Sequence, residues 1–158
     1  MVFDTTVGDL FTVRVGANVV NDDILGSLEI AAESGARVLL VLGHTDCGGI
    51  KAAIGGWKLG HFTQLVEKVK PAIDATNARL DQDSALAREV GERVAGNSRY
   101  IAEASHTNAV QSKNQILERS PVLKERVSRG QLLGRPECLG QLDWMGTIEQ
   151  NFPPRRKS

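Results

Sequence analysis

The sequence predicts an α/β domain in which helices flank a mostly parallel sheet, and three observations predict it. After Arg37, the run Val-Leu-Leu-Val-Leu to Leu42 is continuously apolar, the pattern of a strand buried on both faces of a parallel sheet. Leu10 to Val15 (Leu-Phe-Thr-Val-Arg-Val) is apolar and β-branched behind Gly8-Asp9, and reads as a strand. Between them, Asp22-Asp23 open a helix through Ile24, Leu25, Leu28 and Ala31-Ala32, spaced near 3.6 residues, and Gly35 ends it. Strand, helix and strand at this spacing form a right-handed βαβ unit.

Further along the chain the helical signals dominate. After Gly48-Gly49 a short helix carries Ile50, Ala52, Ala53 and Ile54 and stops at Gly55-Gly56. Residues 62–80 read as a helix with Leu65, Val66, Val69 and Ile73 on one face, and Pro71 is expected to kink or split it. Residues 84–94 and 100–118 are two more helical stretches, separated by Gly96-Asn97-Ser98. Ser120 before Pro121 is an N-cap followed by proline at the first helical position, and that helix runs through Leu123 and Val127 to Gly130. Gln131-Leu132-Leu133 starts like a strand that Gly134, Arg135 and Pro136 interrupt. Leu142 to Met145 is a candidate short strand. The expected organisation is one domain over residues 1–146 and a C-terminal tail over 147–158 that ends in Arg155-Arg156-Lys157.

Composition narrows the function classes. The formal net charge is +0, so nothing points to nucleic acid or an anionic membrane surface. No apolar run approaches the roughly 18–20 residues that span a bilayer, and the Met1-Val2-Phe3-Asp4 start has no signal-peptide pattern. Two cysteines, Cys47 and Cys138, are too few for a disulfide framework, which suits a cytoplasmic protein with reduced thiols.

The chemistry concentrates in Gly43-His44-Thr45-Asp46-Cys47-Gly48-Gly49, which follows the buried strand and opens a helix. Ligands of open α/β sheets collect at the carboxyl ends of the strands. Imidazole and thiolate are good Zn²⁺ donors, and the His-x-x-Cys spacing of His44 and Cys47 lets both reach one ion. A helix start favours the thiolate form, and the amides of Gly48 and Gly49 can receive an anion. On spacing alone, the commoner case is a structural cysteine beside a hydrogen-bonded histidine. A third reading makes Cys47 a metal-free reactive thiol, although no resolving cysteine stands at Cys-x-x-Cys spacing.

Several ordered motifs carry a family resemblance over roughly residues 3–133. Gly8-Asp9-Leu10-Phe11-Thr12-Val13-Arg14, then Asn18, then Leu25-Gly26-Ser27-Leu28-Glu29 resemble the β-carbonic anhydrases, as does the segment Val41 to Gly49. Gln115 to Leu123 is similar to the helix turn before that family's last core strand. The resemblance implies a three-layer fold and zinc as cofactor, with His44 and Cys47 as two of three protein ligands. It places Gly48 and Gly49 beside a pocket for CO2 or bicarbonate, and gives Arg14 and Asn18 a structural role. It also implies reversible hydration of CO2 by zinc-bound hydroxide and a homodimer or higher homo-oligomer, with neither nucleic acid nor membrane as partner.

The family's first motif, a strand ending Cys-x-Asp-x-Arg, has no counterpart here. Only nine residues precede Leu10, and none is Cys or Arg. The first core strand is therefore expected to be missing, leaving two strand edges unpaired. No catalytic Asp–Arg pair is visible, and two ligands hold zinc more loosely than three. Catalysis by this chain is accordingly doubtful. The alternative is an inactive family member or truncated fragment, acting at most as a metal-binding or dimerisation module. Cys138 and Asp46 stand as possible substitute ligands, while His61 and His106 are expected on helix surfaces.

Overall fold

The structure is a computed structural model that describes residues 6–139, of which residues 137–139 are described in their backbone alone. A 3-10 turn at Gly16–Asn18 leads into helix α1 (Asp22–Glu33), strand β1 (Val38–His44) and helix α2 (Gly48–Ile54). Helices α3 (Gly60–Gln82), α4 (Ser84–Val90), α5 (Ser98–Arg119) and α6 (Pro121–Ser128) follow, and strand β2 (Leu133–Leu139) closes the described chain. The result is an α/β fold in which β1 and β2 form a two-stranded parallel sheet, Val38 opposite Leu133 and His44 opposite Leu139.

The helix boundaries follow from local capping chemistry. Asn21 caps α1 by accepting from the Ile24 amide at 2.9 Å. Ser120 caps α6 by accepting from the Leu123 amide at 3.1 Å, with Pro121 at the first helical position. Asn97 caps α5 through the Arg99 and Tyr100 amides. The same Asn97 donates to the Val90 and Glu92 carbonyls, which takes over the end of α4 and stops it short of residue 94. Gly91, at φ 78, completes that turn as no L side chain readily could.

Three expectations are corrected. Leu10 to Val15 forms no strand: a strand exists only through a ladder, and no neighbouring strand among the described residues offers one. Leu10 and Phe11 are exposed there at 49% and 57%. The βαβ unit predicted from that segment thus lacks its first strand, and among the described residues β1 pairs with β2 alone, so its other edge meets no strand. Second, Pro71 neither splits nor ends α3, because it sits on the exposed side, where water can take the place of the lost amide. Third, β2 runs through Pro136. The Leu133 amide donates to the Arg37 carbonyl at 2.9 Å, so residues 133, 135 and 137 face β1 and the proline nitrogen falls on the outer edge.

The sheet is also covered unequally. Leu39 and Val41 are buried against Leu25 and Ala32 of α1, Ala109 and Ile116 of α5, and Leu123 of α6. On the opposite face Leu40 and Leu42 are half-buried and Val38 is exposed, so β1 is not buried on both faces. A second cluster joins Cys47, Ile50 and Ala53 to Val66 and Val69 of α3 and Ile101 and Ala104 of α5. Helix α5 therefore links the sheet to the layer that carries Cys47. Leu142 to Met145 and the tail over 147–158 lie outside the described residues. Among those described, no helix is long and apolar enough to cross a membrane.

Candidate metal centre

His44 ends β1, Cys47 is the N-cap residue of α2, and Thr45-Asp46 form the turn between them. Asp46 adopts φ 61, a left-handed conformation that reverses the chain between strand and helix. Its carboxylate is ion-paired to Lys51 one turn into α2, so the substitute-ligand role considered for Asp46 competes with this pair.

His44 is exposed, and its Nδ1 is hydrogen-bonded to the Thr45 carbonyl at 2.8 Å. With Nδ1 as the donor, Nε2 is left with its lone pair outward, the arrangement typical of a metal-binding histidine. Cys47 is a free thiol, 8% exposed and packed into the α2–α3–α5 cluster. That burial disfavours the reactive-thiol reading, which requires access for a reagent.

The paired glycines have different surroundings. A Cβ placed on Gly48 would meet nothing within 4 Å, so its backbone borders open space. A Cβ on Gly49 would come to 2.9 Å from the Ala17 Cβ, which explains the absence of a side chain by packing. Asn18, read as structural, donates from Nδ2 to the Leu42 carbonyl at 2.8 Å. Arg14 is exposed and makes no hydrogen bond or ion pair among the described residues.

Sequence reading missed the residues behind this turn. Asn108 donates to the Ala17 carbonyl at 2.7 Å and Ser112 to the Asn18 carbonyl at 3.0 Å, both from α5. With Ser105 they are the small polar residues on the buried side of α5, and nothing in the sequence alone marks them out. His61 is exposed on α3 and His106 half-buried on α5, in line with the expectation of helix surfaces. Cys138 falls in β2 opposite Gly43, within a regular strand rather than a disrupted stretch, and its side chain lies outside the described residues.

His44 and Cys47 thus fit zinc in donor type, and the Nδ1 hydrogen bond to Thr45 leaves Nε2 of His44 without a protein partner among the described residues. They fall short in number: among the described residues, no group of three or more His, Cys, Asp or Glu could hold a metal ion.

Comparison with known proteins agrees with the motif order. The chain matches the carbonic anhydrase family over residues 1–134. It is 27% identical to carbonic anhydrase 2 of Mycobacterium tuberculosis over 138 residues, which cover 84% of this chain and 58% of that protein. It is 34% identical to a carbonic anhydrase of Mycolicibacterium smegmatis over 105 residues, covering 60% of this chain and 50% of that protein. The chain spans between half and three-fifths of the length of these relatives. On the match over residues 1–134 and the parallel α/β fold beneath it, the chain belongs to the β-carbonic anhydrase family.

Proposed function

We propose that this chain is a zinc-binding protein whose site is addressed to CO2 and bicarbonate. By itself it acts as a half-site that holds zinc loosely and does not hydrate CO2 appreciably. The observation that carries this reading is the donor set, which is right in kind and stops at two among the described residues. Catalytic zinc takes three protein donors and keeps one open position. Bound zinc would supply a Lewis acid that ionises water near neutral pH.

The remaining features are the chain's own. The Thr45 carbonyl holds the His44 ring so that Nε2 is available. The uncrowded backbone at Gly48 leaves room for a small planar substrate, and Lys51 neutralises Asp46, the nearest carboxylate in the loop. The names of the two mycobacterial relatives support the substrate class. Pairing with a second copy belongs to the same proposal, supported by the exposed Leu10 and Phe11 and by the edge of β1 that no strand pairs among the described residues. So does a cytoplasmic setting, which suits the free thiol of Cys47.

The test is CO2 hydration followed by stopped-flow with a pH indicator, on the purified chain in excess zinc. A rate equal to buffer with zinc is expected. A rate clearly above it would show a complete centre and overturn the half-site.

A further inference from the structure

We propose that the Gly16–Asn18 turn, through Asn18, is the positioning element that fixes His44 relative to Cys47. Its functional meaning rests on the reading of those two residues as metal donors, while its geometry stands without it.

Only Thr45 and Asp46 separate the two donors, so their spacing depends on how the end of β1 and the start of α2 are held. The turn touches both. Asn18 Nδ2 donates to the Leu42 carbonyl at 2.8 Å, two residues before His44. Leu42 lies at a register position whose carbonyl points away from β2, so no strand among the described residues competes for that bond. On the other side Ala17 packs against Gly49, two residues after Cys47, at a distance that leaves no space for a Cβ.

The turn is itself anchored. Ala17 and Asn18 both stand at φ 52, which alanine in particular avoids. Such a conformation persists only where its surroundings determine it. Asn108 and Ser112 supply that determination from α5, the helix that also packs on the sheet and on the Cys47 cluster. Asn18 thus acts on the placement of His44 relative to Cys47 through the strand end that carries His44.

Asn18→Asp is the informative variant, because aspartate tolerates the left-handed backbone but presents an acceptor to the Leu42 carbonyl. In a Cys138→Ser background, two readouts apply to the full chain. One is Co²⁺ titration followed by the thiolate-to-cobalt charge-transfer band. The other is the rate of Cys47 alkylation by iodoacetamide in metal-free protein. Asn18→Asp is expected to weaken Co²⁺ binding by about tenfold, as loss of an outer-shell partner does, and to speed alkylation several-fold. Ser112→Ala should shift both in the same direction by less, and it carries the test should Asn18→Asp not fold.

Asn21→Ala, which removes the α1 cap, should lower the unfolding midpoint and leave both readouts unchanged. Alkylation and cobalt binding that ignore Asn18→Asp and Ser112→Ala would overturn the positioning role, as would an equal response to Asn21→Ala. If alkylation responds while the parent gives no charge-transfer band, the turn positions the loop as proposed and the metal reading is what fails.

Discussion

The two adjacent glycines that open α2 should respond differently to alanine, which is tolerated at Gly48 and destabilising at Gly49. At Gly49 the new Cβ would stand 2.9 Å from the Ala17 Cβ, against the 3.5–4.0 Å of a relaxed carbon contact. One side must give by roughly 0.6 Å or more, and neither is free to do so. The Ala17 carbonyl is held by Asn108 at 2.7 Å, and Gly49 belongs to a helix whose Ile50 is 1% exposed. Overpacking of this kind costs about 1–3 kcal/mol. Replacing glycine with alanine in a helix offsets about 0.5–1 kcal/mol of that. The net expectation is a loss of up to about 2.5 kcal/mol for Gly49→Ala.

Gly48→Ala meets no atom within 4 Å and keeps the helical gain, so it should be neutral or stabilising by up to about 1 kcal/mol. Urea unfolding followed by far-UV circular dichroism measures both variants. If Gly49→Ala is as stable as Gly48→Ala, Ala17 is free to move, and the picture of a pinned turn is wrong.

Other expectations follow from the same contacts. Ala17→Gly should relieve the φ 52 backbone and raise stability by about 0.5–1 kcal/mol in the same urea assay, and it should rescue Gly49→Ala. Ser120→Ala removes both the cap on the Leu123 amide and a 2.6 Å hydrogen bond donated to the Glu29 carboxylate. A loss of about 2 kcal/mol is expected, with a lower thermal midpoint. Burial raises the Tyr100 pKa above 10.0, outweighing the hydrogen bond to Asn77. Between the unfolded and folded values the native state holds more protons, so stability is intact below pH 10.0 and falls as pH rises through the folded value. Tyr100→Phe should flatten that alkaline decline in a pH series of unfolding midpoints.

What the sequence revealed and what it hid divide along the reach of the interactions. The caps at Ser120 and the stop at Gly35 were legible because cap and helix are sequence neighbours. Leu10 to Val15 carries the side chains of a strand, but its state is decided by a ladder partner, which no local pattern contains. Pro136 reads as a breaker, yet its effect depends on which edge of β2 it faces, and that is set by pairing with β1. At the site, His44 and Cys47 stand three apart and were visible. Asn108 and Ser112 reach Ala17 and Asn18 from more than ninety residues away. Nothing in helix periodicity distinguishes them from other polar residues.

The half-site is tested most directly by zinc affinity, measured by competition with a chromophoric chelator for the parent chain and for His44→Ala/Cys47→Ser. Complete structural zinc sites bind with roughly 10–16 kcal/mol. A two-donor site should fall short of this, with a dissociation constant weaker than about 100 nM. The double variant should lose that binding altogether. Tight binding that needs His44 and Cys47 would reveal a third donor and a complete centre. Binding indifferent to the double variant would place the metal elsewhere in the chain and contradict the site itself.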